Sequence, residues 1–575
     1  MFFSPGAADT PSEELATART HFFLPRRFSD PFDQPSTVEY DSHDLAVVKT
    51  QDAIQNNVTA LLDYRVLQPK LMTDPNGNQS QVVFDALGMV AGTAVMGKAS
   101  ESGDVLDSSF QPDLTRSEID AFLAQPREAS GNSGESAATQ RSRDLLSTAT
   151  TRIVYDLDRF MRTGEPAFAA TLARETHVKD ESAQGQPTRI QISFSYSDGF
   201  GREIQKKIQA EPGTAPKRDA GGQIIVGPDG RPEMTSNEIN PRWVGSGWTI
   251  FNNKGKPVRQ YEPFFTDTHH FEFDVRIGVS PVLFYDPVER VVATLHPNHT
   301  WEKVVFDPWR QTSYDVNDTV TTNPRTDPDV GGFFVRLPDA DYLPTWYDQR
   351  IGGGLGTAEQ EAATKAAAHA NTPAVAFADS LGRTFLAIAD NGPAGKYVTR
   401  TELDIEGNQR AVIDAKGRVV MEYDYDMLGV KIHQSSMEAG QRWMLNDVSG
   451  KPIRAWDSRG HTFRTEYDLL RRPLHSFVQG ASGSEADPRT VAREILFART
   501  QYGEGQPDDV ALNLRTRAVR QDDGAGIVAM GSYDFKGNLL AGARQLLQDY
   551  KGLADWSGQP SLEPETFQSA TTYDA

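Results

Sequence analysis

In the second half of the chain, apolar and polar side chains alternate in runs of six or seven residues. Arg418-Val419-Val420-Met421-Glu422-Tyr423 and His461-Thr462-Phe463-Arg464-Thr465-Glu466-Tyr467 are two such runs. A period of two, rich in β-branched and aromatic residues, predicts strands with one covered face. The breaks between runs are as regular as the runs. The tetrad Asp-x-x-Gly occurs at Asp74–Gly77, Asp85–Gly88, Asp198–Gly201, Asp379–Gly382, Asp404–Gly407, Asp414–Gly417, Asp426–Gly429, Asp447–Gly450, Asp457–Gly460 and Asp534–Gly537. Asp404, Asp414 and Asp426 show its spacing of 10 to 12 residues. Asp suits the first position of a type I turn, where its carboxylate accepts a backbone N–H two residues on. Gly suits the fourth, where the chain turns left-handed. Removing four turn residues leaves about six to eight, the length of one strand. The rhythm predicts a long succession of antiparallel hairpins.

A second repeat overlaps the first. Ten of the 17 Tyr are followed by Asp, at Tyr40, Tyr155, Tyr285, Tyr314, Tyr347, Tyr423, Tyr425, Tyr467, Tyr533 and Tyr573. Chance would give about two. Tyr is expected to close one strand and Asp to open the next turn. Two segments break the β pattern with helix signals. Thr115-Arg116-Ser117-Glu118 has the form of a capping box, as does Thr357-Ala358-Glu359-Gln360 before an Ala-rich run. The expected organisation is an irregular lead with early repeats at 1–98, a polar insertion with a short helix at 99–150, a divergent repeat region at 151–345, a helical insertion at 346–373 and a regular array at 374–575.

Tyr425-Asp426-Met427-Leu428-Gly429 and Tyr533-Asp534-Phe535-Lys536-Gly537 resemble RHS (YD) repeats. The middle of the chain narrows the likeness. Phe194-Ser195-Tyr196-Ser197-Asp198-Gly199-Phe200-Gly201-Arg202, the aromatic stretch 242–265, and segments 282–287 and 294–311 resemble the RHS region of the B component of bacterial insecticidal toxin complexes, the Tc toxins. That resemblance implies an all-β fold: a curved strip of antiparallel β-hairpins, part of a hollow β-shell, with two short helical insertions. It implies as partners the C component, the remaining B component and an enclosed toxic polypeptide. It implies a secreted or extracellular site of action within a toxin complex, after residence in the cytoplasm. In the family a β-propeller preceding the RHS region docks the A component. No propeller-like segment is visible here, and the array stops one residue past Tyr573-Asp574. The expectation is a partial polypeptide that does not itself carry A-component docking.

Composition and charge narrow the chemistry. With 58 basic and 79 acidic residues the net charge is -21, which repels phosphate backbones and argues against nucleic acid. The absence of Cys removes disulfides, thiolate metal sites and a Cys nucleophile. No apolar run is long enough for a membrane span, and the opening residues lack the charged and apolar regions of a signal peptide.

No catalytic, cofactor-binding or metal site is expected. Gly92-Thr93-Ala94-Val95-Met96-Gly97-Lys98-Ala99 matches a P-loop except at the last position, where Ala replaces the magnesium-binding hydroxyl. Gly352 to Gly356 reads as a flexible helix entry. His269-His270 and His296/His299 are the close His pairs, with no further ligands at zinc spacing. The recurring Asp residues argue against a catalytic carboxylate pair, because a turn device repeats and an active site does not. Trp243, Trp248, Trp301 and Trp309 are expected to fill sheet interfaces; the alternative is a surface that stacks on sugars or a host receptor. The function expected is non-catalytic: containment and assembly.

Overall fold

The computed structural model describes residues 1–99, 101, 103–124, 140–184, 188–227, 231–480 and 491–575. Most of the break in the array at 481–492 and part of the polar insertion lie outside these residues.

The turn at Asp414 shows how the fold is made. Gly417 N–H donates to Asp414 O at 2.9 Å, and Asp414 N–H donates to Arg418 O at 3.0 Å. Asp414 Oδ1 accepts the N–H groups of Lys416 and Arg418 at 2.9 and 3.0 Å, while Oδ2 receives the Arg418 guanidinium at 2.6 Å. Gly417 has φ 76°, the left-handed conformation the geometry demands. Asp74, Asp198, Asp379, Asp404 and Asp534 make the same Oδ1 bonds two and four residues on. The device also operates without Gly. Arg471, Glu289 and Gln55 take φ 59°, 71° and 67° in turns opened by Asp468, Asp286 and Asp52. Strand register shifts beside such turns, as between Asp424 and Tyr425, which marks a bulge.

Tyrosine supplies the second fastening. The hydroxyl of Tyr467 donates to Pro452 O at 2.7 Å, that of Tyr425 to Gln409 O at 2.9 Å and that of Tyr533 to Ala518 O at 2.6 Å. Each Tyr is the last residue of its strand, and each acceptor the first residue of the strand before. The Tyr-Asp pair therefore ties a finished hairpin to its predecessor and opens the next turn.

The chain forms two compact units: Met1–Leu157 with Ala169–Ser193 and Arg442–Ala575, and Asp158–Phe168 with Phe194–Gln441. In the first unit, strands from Arg27–Ser29 to Thr151–Asp156 pair in chain order, all antiparallel. A second meander runs from Pro452–Asp457 to Leu562–Ala570. Burial along Thr151–Asp156 alternates strictly, as the period-two pattern predicts. Leu496, Leu547, Ala554 and Trp556 form a small core cluster in this unit.

In the second unit, strands from Thr249–Phe251 to Lys431–Ser436 again follow chain order, apart from the strand Phe264–Thr266, which pairs with Arg242–Gly245 instead. Val282, Phe284, Ala293, Leu295 and Trp301 pack under Val330, Phe334 and Tyr342 of the helical segment. From Ala374 to Ser436 the pattern changes: Ala411 is the one buried residue of that stretch. The sheet there is a single layer, with both faces accessible.

The all-β expectation holds, but helix is more widespread than two insertions. Among the described residues there are eight short α-helices. The expected irregular lead contains the helix Pro11–Thr20, capped by Thr10 and Glu13 in a capping box with Pro at the first turn. The helix Arg116–Ala124 follows Thr115, whose hydroxyl accepts the Glu118 N–H at 3.3 Å. The capping box at Thr357 does not form. The helix Thr357–Ala367 starts from Gly356 at φ 101°, and Gln360 instead donates to Ile351 O at 2.9 Å. Thr345 caps the preceding helix Trp346–Ile351 through the Asp348 N–H.

Candidate functional site: a seam of hairpin turns

Within the first unit, the turns of the two meanders meet and lock. Asn78 Nδ2 donates to Asn513 Oδ1 at 3.0 Å, and Lys98 Nζ donates to the same oxygen at 2.7 Å. Arg515 N–H donates to Asn76 Oδ1 at 3.0 Å, and Asn76 Nδ2 returns a bond to Arg515 O at 3.3 Å. The Glu504 carboxylate gathers Asn56 Nδ2 at 3.2 Å, Thr516 N–H at 2.9 Å and Arg472 Nη1 at 2.9 Å. Aromatic tips reinforce these bonds. The Arg471 guanidinium lies 4.1 Å from the Phe32 ring centre, and Phe535 receives the His177 ring at 4.8 Å and Lys179 Nζ at 4.9 Å. Asn76 and Asn78 occupy the third and fifth positions of the Asp74 turn, so the element that makes a hairpin also presents the seam.

His177 is itself anchored. Its Nδ1 lies 2.7 Å from Asp104 Oδ2, which also accepts the Thr150 hydroxyl at 2.6 Å, while Oδ1 accepts the Val178 N–H at 2.8 Å. Burial pushes the Asp104 carboxyl up, but bonds from His177, Thr150 and Val178 hold it below its ordinary range. The pair has the outline of a carboxylate–imidazole couple. Thr150 donates to the carboxylate and not to the imidazole.

The second unit holds two buried charge clusters. Lys207 is wholly buried and pairs with Glu272, which also takes Arg218 Nη2 at 2.5 Å and the Thr266 hydroxyl at 3.0 Å. Burial lowers the Lys207 ammonium's proton affinity, opposed by Glu272. Lys303 Nζ donates to Asp327 and Asp329, each at 2.7 Å. Every member has its partners, which is the condition for tolerating charge inside a protein.

The residues singled out from sequence fall in separate elements, although His269 meets Trp243. The near P-loop is the strand Val90–Lys98, paired on both sides, with Phe110 packed against Gly92. Its Lys98 belongs to the seam. Gly352 ends the helix Trp346–Ile351, and Gly356 starts the next. The His269 ring packs on Phe194 and Trp243, and burial lowers the proton affinity of His270. His299 occupies a left-handed turn position, where its Nδ1 approaches Pro344 O at 2.8 Å. Among the described residues, no group of three or more His, Asp or Glu converges as a metal cage. Trp243 and Trp301 are buried, as expected; Trp309 is not, and stands exposed in a turn. The seam residues escaped the sequence reading because the partners that join the two meanders lie hundreds of positions apart. The one local signal was the Asn or Arg that directly follows the turn Gly in six of the ten Asp-x-x-Gly tetrads.

No family model matches the chain. A curated relative, toxin subunit YenC2 of Yersinia entomophaga, is 24% identical over 197 residues, a match covering 31% of this chain and 20% of that protein. The crystal structure of TcdB2-TccC3 aligns with 96% of this chain at a TM-score of 0.71 and 22% identity. The Photorhabdus luminescens Tc holotoxin pore aligns with 99% at a TM-score of 0.69 and 18% identity. The chain spans about a quarter of those proteins' length, 24% and 28% respectively. The rhythm is like that of RHS/YD repeats, and the structural likeness gives this chain the fold of the solved TcdB2-TccC3 and Tc holotoxin pore structures.

Proposed function

We propose that the chain is a wall segment of a toxin complex, that it encloses a toxic polypeptide until delivery, and that it does no chemistry of its own. The observation that carries this reading is the single-layer sheet from Ala374 to Ser436. A globular enzyme buries one face of its sheet under helices or a second sheet. This stretch leaves both faces open, as a wall between an interior and an exterior requires. The turn chemistry gives such a wall its strength without a core, since each hairpin is closed by its own Asp and tied to the last by Tyr. The partners under this reading are a C component and further B-component sequence, with the cargo inside.

The test is protease protection. The chain is co-expressed with the TccC3 polypeptide, the partner in the solved structures, and the purified complex is digested with proteinase K. The C-terminal part of TccC3 should resist digestion in the complex and be cleaved when TccC3 is alone. Cleavage at the same rate in both would exclude containment.

A further inference from the structure

The sequence contains two Asn-Gly dipeptides, Asn76-Gly77 and Asn391-Gly392. Asn is a chemically labile residue, and most so before Gly, whose missing Cβ leaves the next backbone nitrogen unshielded. Both dipeptides lie in hairpin turns, and both glycines are left-handed, at φ 79° and 57°. Sequence and backbone thus treat the two alike; their side-chain surroundings do not.

Asn76 is buried, and its carboxamide is held at both ends: Oδ1 accepts the Arg515 N–H at 3.0 Å, and Nδ2 donates to Arg515 O at 3.3 Å. The Asn76 N–H donates to Asp74 Oδ1 at 2.9 Å, and the Gly77 N–H to Asp74 O at 3.0 Å. Swinging the Asn76 carboxamide onto the Gly77 nitrogen would require breaking the seam. Asn391 is exposed, and its carboxamide makes no cap bond to the short helical turn Gly392–Ala394. The Gly392 N–H donates to Asp390 Oδ1 at 3.0 Å, at the end of the hairpin of Thr384–Asp390 and Lys396–Leu403. An exposed turn at the end of a single-layer hairpin opens at low free energy, whereas a turn locked into a seam opens only with that seam.

We infer that Asn391 is a site of spontaneous modification, converting to aspartate and isoaspartate in the folded chain, while Asn76 is protected. The Gly392 nitrogen gives its proton to solvent hydroxide and attacks Asn391 Cγ. The bond from Cγ to Nδ2 breaks, and Nδ2 takes a proton from water and leaves as ammonia. Water then opens the cyclic imide at either carbonyl. The product places a new negative charge beside Asp390 and, as isoaspartate, lengthens the turn by one backbone methylene.

The test ages the purified chain at mildly alkaline pH, digests it with trypsin and follows peptides 384–396 and 71–98 by mass spectrometry. Acid should form at Asn391 at least about tenfold faster than at Asn76. In urea, with turns and seam undone, the two rates should agree within about threefold. Asn391→Gln should abolish the more acidic species that anion exchange resolves in the aged chain. Equal rates in the folded chain, a faster Asn76, or no acid at Asn391 would overturn the proposal.

Discussion

At the residue scale, two side chains do most of the folding work. The turn Asp accepts two backbone N–H groups and often its neighbour's side chain, and these bonds favour its ionised form. The Arg383 N–H holds the Asp379 carboxyl below its ordinary 3.8, and the Asn408 and Arg418 side chains do the same for Asp404 and Asp414. A carboxyl depressed in the folded state contributes stability above its unfolded value and loses it as pH falls through the folded one. The urea midpoint should therefore hold near neutrality and fall steadily below about pH 4. A midpoint that rises on acidification would contradict the turn assignment. The Tyr hydroxyl is tested more simply. Tyr533→Phe removes the bond to Ala518 O and should destabilise the fold by about 1 kcal/mol in urea unfolding.

At the scale of the element, hairpins were legible and their cover was not. Period-two alternation and Asp-x-x-Gly locate strands such as Val419–Tyr425 and Thr462–Tyr467 because every determinant is local. Turns closed by Arg471 or Glu289 lack the Gly signal, since a bonded Asp can hold a non-Gly residue left-handed. The helix Pro11–Thr20 carried a readable Thr10-x-x-Glu13 box. The cluster of Phe334 and Tyr342 over Trp301 was not readable, because no local rule says which sheet face a distant helix will cover. Buried Trp301 sits at the centre of that cluster and its Nε1 donates to Thr322 O at 3.3 Å. Trp301→Ala should cost about 3–5 kcal/mol, whereas Trp309→Ala, at an exposed tip, should leave the unfolding midpoint nearly unchanged.

At the scale of the whole molecule, the seam within the first unit joins segments hundreds of residues apart, and no repeat signal announces it. Asn513 is a shared acceptor in it, bonded by both Asn78 and Lys98. Asn513→Ala should raise amide exchange in the turns at 74–78 and 513–517 by about tenfold, without altering the array at 374–436. Equal exchange in both turns before and after substitution would remove the seam from the account.

The central claim is a wall with two usable faces, and one labelling experiment addresses it directly. Val398 and Thr399 are consecutive, exposed residues of the strand Lys396–Leu403, so their side chains stand on opposite faces. In the free chain, Val398→Cys and Thr399→Cys should react with a hydrophilic maleimide at similar rates. In the complex with TccC3, one should become protected while the other stays reactive. Protection of one already in the free chain, or unchanged reactivity of both in the complex, would contradict the wall.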